Sequence, residues 1–348
     1  MTKLKELVKY IQPSNYLVKS TNYSDEYDTP VLTPNKSFLL GYTNEKNTFN
    51  RDCIIIDDFT LDVKYVDFPF MLKSSASKIL VSDQMDLYYL FYLLKTYPFV
   101  LNGHGRHYIS YVQEIEFDFP SLEEQQKIGS FFKELDELIE LHQQHVILHT
   151  NKFRWLLNEM FSKEDKVPIK NLCEGAFSGS TPKSTNKEYY ENGTVPFFSI
   201  SDIEGKYLYH TVKSITSLAV QECKMKIASE ETLICTMYAS PGIPFITKIP
   251  VALPQSVLAL LPKSEYNIDY LYYSLLYSSK QLQRMSGTGT QANLSKQTIM
   301  DFSIPIDASS QEKVVKILNS ACELIEMELR LAENLYKAKK YYLNKIFN

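Results

Sequence analysis

The feature that most constrains this chain is a heptad seam running through residues 120–161. Seam residues recur at alternating steps of four and three without interruption: Ile128, Phe132, Leu135, Ile139, His142, Val146, His149, Phe153, Leu156 and Met160. Such sustained spacing is typical of a long coiled-coil helix. At 1.5 Å per residue, about 40 residues would give a rod of roughly 60 Å. Pro120 and the pair Ser121–Glu124 predict a capping-box start.

The same element returns at residues 305–347, displaced by 186 positions. Gln125 matches Gln311, Phe132 matches Leu318, and Ile139 matches Ile325 under this shift. A helix with an apolar stripe cannot bury that stripe alone, and the simplest partner for each helix is the other one. Further seam positions are predicted in the second helix at Leu335 and Tyr342. The chain is therefore predicted to be a tandem repeat of a globular segment followed by a long helix.

The two globular segments share an order of predicted elements. In the first, residues 4–11 predict a short helix, 53–56, 63–72 and 77–81 predict strands, and 87–97 predict a helix. In the second, residues 231–238 parallel the buried strand and 268–282 parallel the helix. The domain prediction is 1–118 and 163–304 for the globular segments, with 119–162 and 305–348 for the helices. The two copies share this order of elements but almost no loop residues. This is expected when a scaffold is duplicated and its recognition surface changes.

Composition and motifs exclude several classes of protein. The chain has no signal peptide or membrane span in its hydropathy pattern, and its five cysteines form no CxxC pair, which favours reduced thiols in a cytoplasmic protein. No GxGxxG, P-loop, HExxH or GxSxG motif occurs, so we predict no catalytic residues. A net charge of −4 argues against a general nucleic-acid coat. The heptads alone also permit a coiled-coil protein-interaction scaffold without DNA readout, which is the alternative to the DNA-binding function considered below.

Three histidines on the first helix, His142, His145 and His149, have metal-ligand spacing in part. No carboxylate or cysteine completes a convincing set, so no metal site is predicted. Polar seam residues that fix the helix register, or contacts with a partner helix, are the other interpretations.

Candidate DNA contacts lie in loops at matching places of the two copies. His104, Arg106, His107 and Tyr108 concentrate hydrogen-bond donors in one turn, and Arg106 suits a guanine edge or a phosphate. Gln291 and Asn293 occupy the equivalent turn and suit adenine. A solvated loop is the alternative in each case. Polar rim positions and lysines complete the candidates: Thr33, Asn35, Lys36, Lys73, Lys78, Thr181, Lys183, Ser199, Ser201, Lys280 and Lys296.

These residues match a known pattern. The sequence resembles the specificity (S) subunit of type I restriction–modification systems across essentially its full length. The segments that carry the resemblance are FPSLEEQQKIGSFFKELDELIELHQ, GSTPKSTNKEYYENGTVPFFSISDI, GTGTQANLSKQTIMDFSIP and VKYVDFPFMLKSS. The second long helix departs from the family pattern, because its opening IDASSQEKV lacks the usual Leu-Glu-Glu run.

The resemblance implies a fold of the α/β (α+β) class, with two target-recognition domains separated by an antiparallel pair of long coiled-coil helices in a pseudo-twofold repeat. It also implies sequence-specific binding to double-stranded DNA, with each domain reading half of a bipartite site. The implied partners are two methyltransferase (M) subunits, which carry S-adenosylmethionine and flip the target adenine, and restriction (R) subunits, which use ATP and Mg²⁺. This chain itself would bind no cofactor and would act in the bacterial cytoplasm.

Overall fold

A computed structural model describes residues 1–19, 23–35, 37–101, 105–238, 240–286 and 293–347. The chain divides into two compact units, the first formed by Met1–His145 with Glu328–Asn348 and the second by Val146–Met327. Each unit combines one globular domain with sections of both long helices. Of the helices in the described ranges, none has the length and apolar character needed to cross a membrane.

Two of the helices are very long, and both fall inside the segments predicted for them. In chain order, the α-helices of the described residues are α1 (Leu4–Leu7), α2 (Leu87–Thr96), α3 (Leu122–Phe161), α4 (Ile169–Leu172), α5 (Ser217–Glu222), α6 (Ile268–Arg284), α7 (Lys296–Asp301) and α8 (Gln311–Phe347). The helices α3 and α8 span 40 and 37 residues, which confirms both long-helix predictions. The four-segment domain division stays a prediction.

The first domain contains two main sheets and a short strand pair. Its strands are β1 (Thr2–Lys3), β2 (Lys9–Ile11), β3 (Thr29–Leu32), β4 (Leu39–Thr43), β5 (Cys53–Asp57), β6 (Val63–Val66), β7 (Met71–Leu72), β8 (Ser77–Val81) and β9 (Glu116–Phe117). The sheet orders are β2-β8-β5-β6 and β4-β3-β7, and β1 pairs with β9. Every residue of β5 is buried, as its run of apolar side chains predicts. The predicted helix over 4–11 is wrong in its second half, because Lys9–Ile11 pairs with β8 as a strand.

The second domain repeats this plan with additional edge strands. Its strands are β10 (Lys166–Pro168), β11 (Cys173–Ser178), β12 (Val195–Phe197), β13 (Tyr207–Leu208), β14 (Lys213–Ile215), β15 (Ile227–Ala228), β16 (Leu233–Thr236), β17 (Pro244–Thr247), β18 (Val251–Ala252), β19 (Val257–Pro262) and β20 (Ser303–Pro305). The order β11-β19-β16-β17 matches β2-β8-β5-β6, and β14-β12-β18 matches β4-β3-β7. The predicted tandem repeat is thus present in the strand topology.

Each long helix begins with an equivalent glutamine that ties it to a helix of the preceding domain. The Gln125 side chain accepts a hydrogen bond from the Asp86 backbone N–H at the start of α2 (3.3 Å). The Gln311 side chain accepts one from the Asn267 backbone N–H at the start of α6 (2.8 Å). The predicted capping box at the start of α3 is also formed, since the Ser121 backbone N–H donates to Glu124 Oε2 (3.0 Å). Each domain is therefore fixed to the helix that follows it.

The far end of each long helix packs on the domain of the other copy. In the first unit, the ring of Phe347 from α8 lies 5.6 Å from the ring of Tyr89 in α2. In the second unit, the ring of Phe161 from α3 lies 5.3 Å from the ring of Tyr270 in α6. The helices therefore run antiparallel within each unit.

Buried polar pairs strengthen these packings. In the first unit, the hydroxyls of Tyr88 and Tyr92 donate to Asp136 Oδ2 at 2.7 and 2.5 Å, and Lys339 of α8 pairs with the same carboxylate. Burial, with the hydrogen bond to Asp136, raises the pKa of both phenols. In the second unit, the Tyr273 hydroxyl donates to Asn319 Oδ1 at 2.6 Å. Tyrosine hydroxyls thus bond α2 to α3 in the first unit and α6 to α8 in the second.

Gly129, the glycine inside α3, is required by the close approach of α2. A Cβ at this position would lie 2.0 Å from Asp86 Oδ1 and 3.1 Å from the Tyr89 backbone nitrogen. Gly129→Ala is expected to destabilise the chain, because overpacking costs about 1–3 kcal/mol and alanine regains only about 1 kcal/mol of helix propensity. Thermal unfolding measures the change. Ser130→Ala, at an exposed position next to it, is the control and should be neutral or slightly stabilising; equal melting temperatures for both variants would refute the packing account.

Candidate nucleic-acid interface

The loop that carries Arg106 in the first domain is held by one aspartate. Asp58 follows strand β5, and its backbone carbonyl accepts a hydrogen bond from the His107 N–H (2.8 Å). Its carboxylate Oδ1 accepts a second from the Tyr108 N–H (2.8 Å). Two consecutive loop amides are therefore fixed to a residue of the sheet.

Asp58 is itself held by a fully buried ion pair. The Lys78 Nζ lies 3.1 Å from Asp58 Oδ2, and the two side chains are 2% and 1% exposed. Lys78 Nζ also donates to the Ser75 carbonyl (3.1 Å). Away from water the two charges stabilise each other, and either one alone would be costly. Lys78 was a candidate phosphate contact, and this burial makes it unsuited to that role because the ammonium has no access to a ligand.

Arg106 presents its guanidinium at the surface of this anchored loop. Its side chain is 60% exposed, and its Nε lies 3.9 Å from Asp58 Oδ2, at the outer limit of an ion pair. The remaining guanidinium N–H groups form a planar fork that matches guanine O6 and N7, or a phosphate. An exposed fork beside two anchored loop amides is a suitable arrangement for reading a base edge.

The side chains of His107 and Tyr108 differ from the sequence expectation. They are 6% and 1% exposed, and the Tyr108 ring packs 5.5 Å from the ring of Tyr10. Among described residues, His107 Nε2 is buried without a hydrogen-bond partner. Burial raises the pKa of the Tyr108 phenol. Both residues anchor the loop in this structure, and a DNA contact by either stays a prediction that would need the loop to open.

Two further first-domain candidates, Thr33 and Asn35, lie between β3 and β4. The Thr33 backbone N–H donates to the Phe38 carbonyl (2.9 Å), and its side chain is partly buried. The Asn35 side chain is exposed. His104, Lys36 and Gln291 lie outside the described residues.

In the second domain, Thr181 and Lys183 follow strand β11 on an exposed loop. Gly179 precedes them where a Cβ would lie 1.6 Å from the Leu253 carbonyl oxygen, so this position accepts no side chain. Thr181 Oγ1 accepts a hydrogen bond from the Gln255 N–H (3.4 Å). The loop is thereby held against the neighbouring strand connection.

Ser199 is the N-cap of a short 3₁₀ turn over Ile200–Asp202, and Ser201 lies within that turn. The Ser199 N–H donates to Asp202 Oδ2 (2.7 Å), which caps the turn, and Ser201 is exposed. Asn293 is exposed as well, whereas Lys296 Nζ donates to the Ala176 carbonyl (2.6 Å) and joins α7 to β11. Lys296 thus has a structural role through this hydrogen bond, and its contact with DNA stays a prediction.

The seam positions of the long helices have graded burial. Phe132, Leu135 and Ile139 of α3 and Leu318 of α8 are buried. Partly buried positions are His142, Val146, His149, Phe153, Ile325 and Leu335. Tyr342 is 39% exposed, with its ring 5.2 Å from that of Phe131; its neighbour Leu343 packs against the core of the first unit.

A second buried lysine organises the second unit, and sequence reasoning missed it. Lys206 Nζ lies 2.7 Å from Asp269 Oδ1 of α6 and donates to Asn319 Oδ1 of α8 (2.6 Å). Burial lowers the pKa of this ammonium. Asp58 had a local signal, because two acids close the run of buried strand residues. The lysine partners of Asp58 and Asp269 are distant in sequence and have no local pattern.

Comparison with known families identifies the repeat. A family model described as "Type I restriction modification DNA specificity domain" matches residues 1–147 and 162–335. The chain belongs to this family.

The specificity subunit of the Escherichia coli type I restriction enzyme EcoR124I/EcoR124II is 29% identical over 99% of this chain and 93% of that protein. The MjaIX specificity subunit of Methanocaldococcus jannaschii is 31% identical over 53% of this chain and 46% of that protein. The crystal structure of a type I S subunit from M. genitalium covers all of this chain and 95% of its own at a TM-score of 0.72 and 17% identity. The predicted fold class, a mixed α/β fold with two repeated domains and long helices, is therefore confirmed, and the chain is a type I restriction–modification specificity subunit.

Proposed function

We propose that this specificity subunit reads a bipartite sequence in double-stranded DNA, with one globular domain on each half. The observation that carries the proposal is a duplicated scaffold whose equivalent loops have different hydrogen-bonding side chains. The loop before β9 presents Arg106, whereas the loop after α6 presents Asn293. A guanidinium and an amide select different base edges, so two halves with different sequences would be read.

Arg106 is the first-domain residue that we assign to base reading. Its loop is fixed by two hydrogen bonds to Asp58 and by the buried Asp58–Lys78 pair. Preorganisation lowers the entropy lost on binding, so the exposed fork is presented at small cost. In the second domain, Thr181, Lys183 and Asn293 are the exposed counterparts.

The methyltransferase subunits would dock on the outer faces of α3 and α8. Both helices expose large apolar side chains away from the seam: Leu138, Leu141, Ile147, Leu148, Trp155, Leu324, Met327, Leu329, Leu331, Tyr336 and Tyr341. Extensive exposed apolar surface is typical of an interaction face. A solved relative, at a TM-score of 0.56 and 14% identity, comes from a study of "complex assembly" and "conformational transition of the type I R-M system".

Within such a complex, this chain would supply specificity and no catalytic group. The methyltransferase subunits would bring S-adenosylmethionine and flip the target adenine out of the duplex. They would also supply phosphate contacts that a chain of net charge −4 does not. Restriction subunits with ATP and Mg²⁺ would join the same assembly, in the bacterial cytoplasm where the DNA lies.

Shortening both long helices should change only the spacing of the recognised halves. Removing two heptads from α3 and the facing two from α8 is expected to shorten the spacer by about six base pairs, because each residue rises 1.5 Å and each base pair 3.4 Å. Methylome sequencing of cells that express the variant with its methyltransferase partner gives both half-sites and the spacer. An unchanged spacer would refute the measuring role of the helices.

Exchanging residues 1–118 for the first domain of another specificity subunit is the matched control. It should change one half-site and leave the spacer and the other half-site as they were. If the chain were a scaffold without DNA readout, neither variant would alter the methylated sequence.

A further inference from the structure

Two histidines of α3 and one glutamate of α8 converge within the first unit. His142 Nδ1 lies 2.5 Å from Glu328 Oε2, and His145 Nδ1 lies 3.2 Å from Glu328 Oε1. The three side chains offer ligand atoms that all lie within 4.8 Å of one another. Glu328 of α8 provides the carboxylate that the sequence alone did not place beside these histidines.

Glu328 is a buried acid whose carboxylate faces two imidazoles. Its side chain is 10% exposed, and its ion-pair partners are His142 and His145. Carboxylate and imidazole groups bind metal ions in their deprotonated forms.

The cluster lies at a special point of the helix repeat. His142 and Glu328 are 186 residues apart, the same displacement that relates the two copies in the sequence. The cluster therefore joins equivalent positions of the two long helices. A cross-link there would fix the register of α3 against α8 within the first unit.

We propose that His142, His145 and Glu328 bind a divalent transition-metal ion, with zinc as the best match, that joins α3 to α8. Two imidazole nitrogens and a carboxylate are a donor set that zinc accepts. Residues at i and i+3 share one helix face, so both imidazoles can reach one ion. The His145 side chain is 40% exposed, which leaves room for water as a fourth ligand.

The test uses the full-length chain without a histidine tag, stripped of metal by a chelator and titrated with Zn²⁺ and with Co²⁺. We expect one equivalent to bind, the visible absorption of four-coordinate Co²⁺ to develop, and the melting temperature to rise. His142→Gln and Glu328→Gln should each weaken binding by more than the roughly 10–100-fold that loss of an outer-shell partner costs.

His149→Gln is the matched control, since it removes a histidine from the same helix and leaves the cluster intact; it should bind as tightly as the wild type. His145→Gln, at the more exposed position, tests the site even if His142→Gln does not fold. Absence of stoichiometric binding, or equal affinity in the wild type and His145→Gln, would overturn the proposal. The three side chains would then form a hydrogen-bonded cluster without a metal.

Discussion

Replacing Arg106 with alanine is expected to weaken recognition of the first half-site by about 5–150-fold. This range corresponds to the roughly 1–3 kcal/mol that one bidentate arginine–base contact contributes to discrimination. Because the loop backbone is held by Asp58 and not by the Arg106 side chain, the variant should keep its fold. Competition binding of the methyltransferase complex to the cognate duplex and to single-base variants measures the loss.

Two further variants separate base reading from general attraction. Arg106→Lys keeps the charge but loses the planar fork, so it should fail to restore specificity if a base is read and should restore binding if a phosphate is contacted. Arg51→Ala is the matched control, because Arg51 is an arginine of the same domain, is 49% exposed and pairs with Asp83. Wild-type discrimination by Arg106→Ala would refute the assignment.

Elements with local sequence signals were predicted well. The seam of α3, the Ser121–Glu124 cap and strand β5 depend on periodicity and capping, which neighbouring residues define. The repeat then predicted that each long helix packs on the other. One local signal gave a wrong prediction. The helical pattern of residues 4–11 continues through Lys9–Ile11, but these residues pair with β8 as a strand. Non-local pairing overrides propensity in such short segments.

The candidate site was predicted less completely, for a physical reason. The turn around Arg106 was recognised by its concentration of donors, but composition does not show which donors point inward. His107 and Tyr108 are buried, and Lys78 is paired with Asp58, a residue twenty positions earlier. Only the fold brings β5, β8 and this loop together. Likewise, the carboxylate that joins His142 and His145 comes from the other helix.

Asp58→Asn is expected to destabilise the first unit by about 3–5 kcal/mol, the usual cost of breaking a buried ion pair. Asparagine keeps an oxygen that can accept the Tyr108 N–H, but it removes the charge and replaces the oxygen that faces Lys78 with an NH2 donor. Lys78 would then hold an unpaired ammonium in a site that is 2% exposed. Chemical denaturation of the full-length chain measures the loss, and hydrogen exchange of β5 and β8 locates it.

The double variant Asp58→Asn/Lys78→Met separates charge from packing. Methionine fills much of the lysine volume without a charge, so the double variant should be more stable than Asp58→Asn alone, since apolar replacements of buried pairs are often neutral. Asp83→Asn is the surface control: its pair with Arg51 is exposed and should contribute at most about 1 kcal/mol. If Asp58→Asn costs no more than Asp83→Asn, the buried pair does not hold the loop, and the rigid presentation of Arg106 must have another cause.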